Sequence, residues 1–307
     1  METRKIGSLD VSTVGLGCNN FGWRLDYDHT VAVVDAALDA GINFFDTADI
    51  YGGTESEEFL GRALAGRRDR VVLATKFGMK VDDQRKGAKP DYVRRACDDS
   101  LRRLRTDHID LYQLHQPDPA TPIADTLAAL DGLVRSGKVR EIGCSNFSVE
   151  QLGEAKAAAG EGARFVSVQN EYSLLHREPE RGVLAECERE GLAFLPFFPL
   201  AGGMLTGKYR RGEPVPEKTR LSKGNSRFLN DRNLDVVEEL INFAAFRGHS
   251  LLELAFSWLL RHPAVASVIA GASSPEQVRA NVHAAGWRLT PADLTEVDKF
   301  APVPAGA

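Results

Sequence analysis

The sequence predicts an α/β protein built as a (β/α)8 TIM barrel, with an N-terminal β-hairpin, extra helices and a long loop after strand 7. Three observations predict it. Eight short β-type runs alternate with helical patterns along the chain. Several runs, such as VVLAT and FVSVQ, are dense in β-branched or aromatic residues, as strands buried on both faces of a parallel sheet are. No low-complexity tract or linker divides the 307 residues, so residues 1–307 read as a single domain. A doubly wound open sheet shows the same alternation, and the strand count alone does not exclude it.

Taken in order, the segment before Ser12 resembles a hairpin that plugs the bottom of a barrel. Strands are expected at 12–17, 43–47, 70–76, 108–115, 139–145, 165–170, 192–199 and 266–271. Between them, residues 90–105 carry Val93, Cys97, Leu101 and Leu104 at helical spacing, with arginines on the other face. A helix over 148–158 opens with Ser148 and has Gln151 three residues on, the pattern of a capping box. Ser274-Pro275 reads as the N-cap and first position of another helix. Further helices are expected at 30–40, 55–65, 122–136, 178–190, 234–247 and 251–261. The stretch 201–233 is long, rich in Gly, Pro, Lys and Arg, and weakly periodic; loops of that length are usually functional or mobile.

Composition narrows the function. The formal net charge of −5 gives no basic balance that would argue for nucleic acid or an anionic membrane as partner. The longest apolar run, 192–200, is broken by prolines and falls far short of the roughly 20 residues a bilayer span needs. METRKIGSLD does not read as a signal peptide. Cys18, Cys97, Cys144 and Cys187 form no CxxC pair and no metal spacing, so a reducing, cytoplasmic compartment and no metal site are expected.

Several motifs fail. GLGCNN starts like a dinucleotide fingerprint but has Asn20 where the third glycine belongs. The stretch from Gly132 to Lys138 matches a phosphate-binding P-loop until Val139 replaces the hydroxyl residue, and it precedes a strand. The stretch from Gly202 to Lys208 follows a strand, but Tyr209 occupies the hydroxyl position. Neither GxSxG nor HExxH occurs, so hydrolase and zinc-protease readings gain nothing.

The ends of the expected strands carry the chemistry. Parallel strands place their C-terminal ends on one face, where barrel active sites lie. Asp46 ends the second strand, Tyr51 follows in its loop, Lys76 ends the third strand and His115 the fourth. A free phenol is a poor proton donor at neutral pH, and a lysine ammonium beside it stabilises the phenolate. A carboxylate holds the lysine in place, and a neutral histidine orients a carbonyl oxygen. The set suits delivery of a proton to an oxygen whose carbon receives a hydride. Singly, Asp46 reads equally as a cap or turn residue, Tyr51 as a rim aromatic, Lys76 as a solvated charge and His115 as a satisfied histidine; the shared face is the argument.

Seven stretches resemble the aldo-keto reductase superfamily, closer to its bacterial and potassium-channel β-subunit branch. They are NFFDTADIYGGTESEEFLGRAL, ATKFG, LRRLRTDHIDLYQLHQPDP, LVRSGKVREIGCSNFS, VQNEYSLL, PLAGGMLTGKY and VIAGASSPEQVRANV. The resemblance covers nearly the whole chain. It implies reduction of a small-molecule aldehyde or ketone with NADPH as cofactor, NADH being the alternative, without metal. It implies Tyr51 as general acid, tuned by Lys76 and Asp46, and His115 orienting the substrate. Ser145, Asn146 and Gln169 match the residues that hold the nicotinamide carboxamide, and Phe197 the aromatic stacked on its ring. Leu200, Gly202 and Lys208 match the loop over the pyrophosphate, with Arg220 as a second cation there. Gly271, Ser273, Gln277 and Asn281 match the adenosine end, at a helix N-terminus suited to phosphate. Gln277 also reads as the third residue of a capping box opened by Ser274.

There are departures. Phe198 stands where the family usually has Ser, Gln277 where many members place an Arg against the 2′-phosphate, and Ala280 where an acidic adenine contact is common. The tail APVPAGA implies an open site without the long substrate loop of some members. Asn20, Phe21, Trp23 and Phe77 lie at or just past strand ends and read as substrate-pocket residues, though Phe21 and Phe77 read equally as rim packing. The competing class is a cofactor-binding regulatory or structural subunit like the channel β-subunits. Oligomeric state is not read from the sequence.

Overall fold

The structure, a computed structural model, describes residues 1–222 and 227–303. Eight parallel strands form the barrel sheet: β3 (Val14–Gly17), β4 (Phe44–Asp46), β5 (Val72–Phe77), β6 (Ile109–Leu114), β7 (Val139–Ser145), β8 (Phe165–Glu171), β9 (Ala193–Phe197) and β10 (Val268–Gly271). Neighbours in sequence are neighbours in space, and β10 returns to pair with β3. Closure comes from the residues just before β10. Phe194 N–H donates to Ala264 O at 2.7 Å, and Ala266 N–H donates to Phe194 O at 3.1 Å. That closure removes the open-sheet alternative and makes a TIM barrel.

The expected first strand is two. Its N-terminal end belongs to a hairpin of β1 (Thr3–Ile6) and β2 (Leu9–Ser12), antiparallel from Thr3↔Ser12 to Ile6↔Leu9. Thr13 breaks the run, and the barrel strand starts at Val14. The hairpin does plug the barrel. Ile6, Leu9 and Val11 are buried with Phe44, Ala74, Leu111, Leu195 and Ile269, inward-facing side chains of the strands.

The helices form the outer ring: α1 (Tyr27–Asp39), α2 (Glu55–Ala63), α3 (Pro90–Leu104), α4 (Ile123–Arg135), α5 (Val149–Ala159), α6 (Val183–Glu190), α7 (Asp231–Phe246), α8 (Leu251–Leu260), α9 (Pro275–His283) and α10 (Pro291–Phe300). On α3, Val93, Cys97, Leu101 and Leu104 are all buried, as the spacing requires. The Ser148–Gln151 capping box forms in both directions. The expected helix over 178–190 is interrupted, because a 3-10 turn at Glu178–Arg181 meets an extended Gly182 before α6 begins. Periodicity did not reveal α10, although Thr290 caps it, Pro291 opens it and Asp293 closes a capping box. No described helix is long and apolar enough to cross a membrane. The tail residues 304–307 lie outside the described residues, as do 223–226 of the long loop.

Candidate active site at the barrel mouth

One cavity of about 1310 Å³ opens at the C-terminal ends of the strands. Its floor is built by strand register. Lys76 pairs in register with Gln113 across β5 and β6, and Ser145 with Gln169 across β7 and β8. Side chains alternate along each strand, so Lys76 and Gln113 both project into the barrel.

Lys76 is fully buried and Asp46 is 3% exposed. The ammonium donates to Asp46 Oδ2 at 2.5 Å and to Thr47 O at 2.9 Å. The other carboxylate oxygen, Oδ1, accepts from Gln113 Nε2 and Gln169 Nε2, both at 3.0 Å. The buried charge is thus paired and its counter-ion saturated, which a charge out of water requires. Burial lowers the ammonium's proton affinity, but Asp46 and Tyr51 more than offset it, so the Lys76 pKa is raised and the group stays charged.

Tyr51 is set above this pair by a tight turn, Tyr51–Thr54. Gly52 sits at φ +59°, and a Cβ there would stand 2.5 Å from Phe21 O. Only glycine satisfies both the backbone and the close approach. Lys76 Nζ lies 5.2 Å from the Tyr51 ring centroid, so its charge bears directly on the phenol. Burial pushes the phenol pKa above its ordinary value, Lys76 pulls it down, and burial wins. Lys76 thus lowers the phenol pKa as expected, but against a larger opposing effect of burial. Tyr51 therefore stays protonated.

His115 follows β6, its ring 5.8 Å from that of Tyr51 and nearly perpendicular to it. Burial, aided by the Lys76 charge, lowers its pKa to about 3, so the imidazole is neutral at physiological pH. Its buried Nδ1 has no hydrogen-bond partner within the protein, while Asn146 Nδ2 fixes its carbonyl at 2.9 Å.

Around this floor the cavity collects the other expected residues. Ser145 donates to Gln169 O at 2.6 Å, and Asn146 donates to Ser145 Oγ at 3.1 Å. Asn146 adopts φ +62°, a left-handed conformation that Asn tolerates better than most residues. Phe197 and the departure Phe198 both line the cavity; Phe198 has φ +48°, strain of the kind found at functional turns. The turn that follows, Ala201–Thr206, brings Leu200 and Gly202 to the wall, with Lys208 and Arg220 beyond. Gly271, Ser273, Gln277, Ala280 and Asn281 line the far end. Ser274 Oγ accepts from Gln277 N–H, but the Gln277 side chain accepts from Ser273 N–H at 2.9 Å instead of completing the box.

The proposed substrate-pocket set divides. Asn20 and Trp23 line the cavity. Phe21 and Phe77 do not; both are fully buried. Phe77 is one residue past Lys76, so strand alternation turns it outward from the barrel, where it stacks on Tyr112 at 4.7 Å. Phe21 is locked under its turn by a hydrogen bond from its N–H to Cys18 O. Sequence reasoning missed Gln113, whose only signal is a polar residue inside the apolar run DLYQLH. It also missed Arg24 and Lys218, which line the cavity from exposed loops.

The chain belongs to the aldo/keto reductase family: the family model matches residues 13–302. Aldo-keto reductase YhdN of Bacillus subtilis is 35% identical over 302 residues, covering 94% of this chain and 90% of that protein. A glycerol dehydrogenase from Gluconobacter oxydans superposes with a TM-score of 0.86 at 33% identity, covering 99% of this chain and 97% of its own. An aldo-keto reductase from Bacillus halodurans, solved in its holo form, superposes with a TM-score of 0.82 at 34% identity, covering 98% and 96%. The protein is accordingly an oxidoreductase of a family that uses nicotinamide cofactors.

Proposed function

We propose that the protein reduces an aldehyde or ketone to an alcohol, reversibly, using NADPH, with NADH as the alternative, and with Tyr51 as proton donor. The observation that carries this reading is the fully buried Lys76, paired with Asp46 beside the Tyr51 ring at the floor of the cavity.

The cavity suits a dinucleotide. Lys208 and Arg220 face it without a carboxylate partner among the described residues, as a pyrophosphate site requires. Phe197 offers an aromatic face beside the amide and hydroxyl groups of Ser145, Asn146 and Gln169, which supply both donors and acceptors for a carboxamide. Gly271, Ser273, Gln277 and Asn281 would take the adenosine end. When bound, the reduced nicotinamide supplies the hydride.

Tyr51 gives its proton to the substrate oxygen, and Lys76 stabilises the phenolate left behind. Neutral His115 presents a ring N–H to the same oxygen and orients it. Asp46, braced by Gln113 and Gln169, keeps the ammonium aimed at the phenol. In the reverse direction the phenolate accepts the proton of an alcohol, and the neighbour named a glycerol dehydrogenase supports that reading.

The test is oxidation of NADPH, followed by its absorbance, with 4-nitrobenzaldehyde or phenanthrenequinone as acceptor. Turnover with alcohol as product supports the proposal. Tight NADPH binding without turnover of any carbonyl would contradict it and favour a regulatory subunit.

A further inference from the structure

The turn after β3 presents a further cation, Arg24, at the cavity rim. The Asn20 carbonyl accepts from the N–H groups of Trp23, Arg24 and Leu25 at 3.4, 2.9 and 3.0 Å. The Asn20 side chain is itself fixed to Ala272 O at 3.1 Å. This tight, anchored turn holds Trp23 and Arg24 exposed at the cavity rim. The Arg24 guanidinium lies 6.0 Å from the Trp23 ring centroid, and that of Arg220 lies 5.6 Å from the same ring. Trp23 thus has a guanidinium of each residue near it.

Arg24 donates to Lys218 O at 3.0 Å. None of Arg24, Lys208, Lys218 and Arg220 has a carboxylate partner among the described residues, although all four line the cavity. Arg24 is instead a source of repulsion. After burial, its charge is the next cause that lowers the pKa of both Lys208 and Arg220. Lys208 and Arg220 match the two negative charges of a dinucleotide pyrophosphate, and the 2′-phosphate of NADPH would fall at the far end with Gln277, which leaves Arg24 and Lys218 over. The cations are placed unevenly. Lys208 packs against Gly203 in the turn after β9, where a Cβ would meet its Nζ at 3.2 Å. The turn that carries Trp23 and Arg24 packs on the turn that carries Tyr51: a Cβ at Gly52 would stand 2.5 Å from Phe21 O and 3.0 Å from Gly22 C. Trp23 and Arg24 therefore stand on the Tyr51 side of the cavity.

We infer that the substrate is an anionic carbonyl compound, whose carboxylate or phosphate is held by Arg24 with its body against Trp23. The inference rests on the proposed carbonyl reduction and names its substrate class. A guanidinium matches the flat, forked geometry of either anion, and an aromatic flank limits its hydration.

Initial rates at saturating NADPH test it with two matched pairs: 4-carboxybenzaldehyde against methyl 4-formylbenzoate, and glyceraldehyde 3-phosphate against glyceraldehyde. The anionic member of at least one pair should show a kcat/KM about tenfold higher, carried by KM and eroded by added salt. The favoured pair identifies the anion as carboxylate or phosphate. Arg24→Gln should erase that preference, and Arg24→Lys should keep part of it. Equal kcat/KM within both pairs overturns the inference while neutral aldehydes still turn over, leaving the proposed function standing. A preference that survives Arg24→Gln also overturns it. So does weaker NADPH binding by Arg24→Gln, read by fluorescence titration, which would assign Arg24 to the pyrophosphate. If no aldehyde of either pair is reduced although NADPH binds, the proposed function fails and the inference falls with it.

Discussion

Lys76 carries most of the consequence at the scale of single residues. It is a fully buried charge, held by one carboxylate and one carbonyl beside the Tyr51 ring. Lys76→Met should lower carbonyl reduction by about 10²-fold or more, because the phenolate loses its cation. It should also destabilise the fold by about 3–5 kcal/mol, because Asp46 is left buried and unpaired. Steady-state rates and denaturant unfolding measure the two effects separately, and full activity in this variant would refute the role. His115 gives a pH prediction. Its pKa is depressed to about 3 from an ordinary 6.5, so stability from the neutral ring is complete above about pH 6.5 and is lost as pH falls towards 3. His115→Gln should flatten that acid-side loss in thermal melts, and the wild-type rate profile should show no step near pH 6.5. Asp46, Tyr51, Lys76 and His115 were legible as a group because each lies at or just beyond a strand end, a property visible in one dimension. Gln113 was not, since its place beside Lys76 depends on the register of β5 against β6. Phe77 was misplaced for the related reason that one step along a strand reverses the face.

Elements were legible where a local signal sets them. The capping box of α5 and the Pro-opened N-terminus of α9 follow from two or three adjacent residues. Ser148→Ala should accordingly cost about 1 kcal/mol in denaturant unfolding, without altering kinetics. The turn after β4 is the element on which the site depends. Gly52→Ala places a methyl 2.5 Å from Phe21 O at a left-handed backbone position, so the turn must move. Its effect should appear as a fall in kcat that exceeds any fall in NADPH affinity, because Tyr51 shifts while the wall formed after β9 does not. Elements were harder to read where tertiary contact decides. The break at Gly182 and the split at Thr13 interrupt runs whose periodicity continues across them.

At the scale of the whole molecule, the two ends of the barrel divide the labour. The hairpin β1–β2 closes one end with Ile6, Leu9 and Val11, and the strand ends open the other. The closed end is a stability device. Leu9→Ala should cost about 2–5 kcal/mol in unfolding free energy while leaving KM for NADPH within twofold; a large KM change would show that the ends are coupled. The alternation of strands and helices foretold the architecture, and the N-terminal plug was readable from where the first strand began. Barrel closure was not, because it runs through residues 264–266, ahead of the strand they introduce.

The most direct test of the central claim is the Tyr51→Phe protein, assayed for carbonyl reduction and titrated with NADPH side by side. If a buried ammonium serves a phenolic proton donor, turnover falls by about 10²–10⁴-fold while the cofactor dissociation constant stays within twofold. Turnover at the wild-type rate would contradict it.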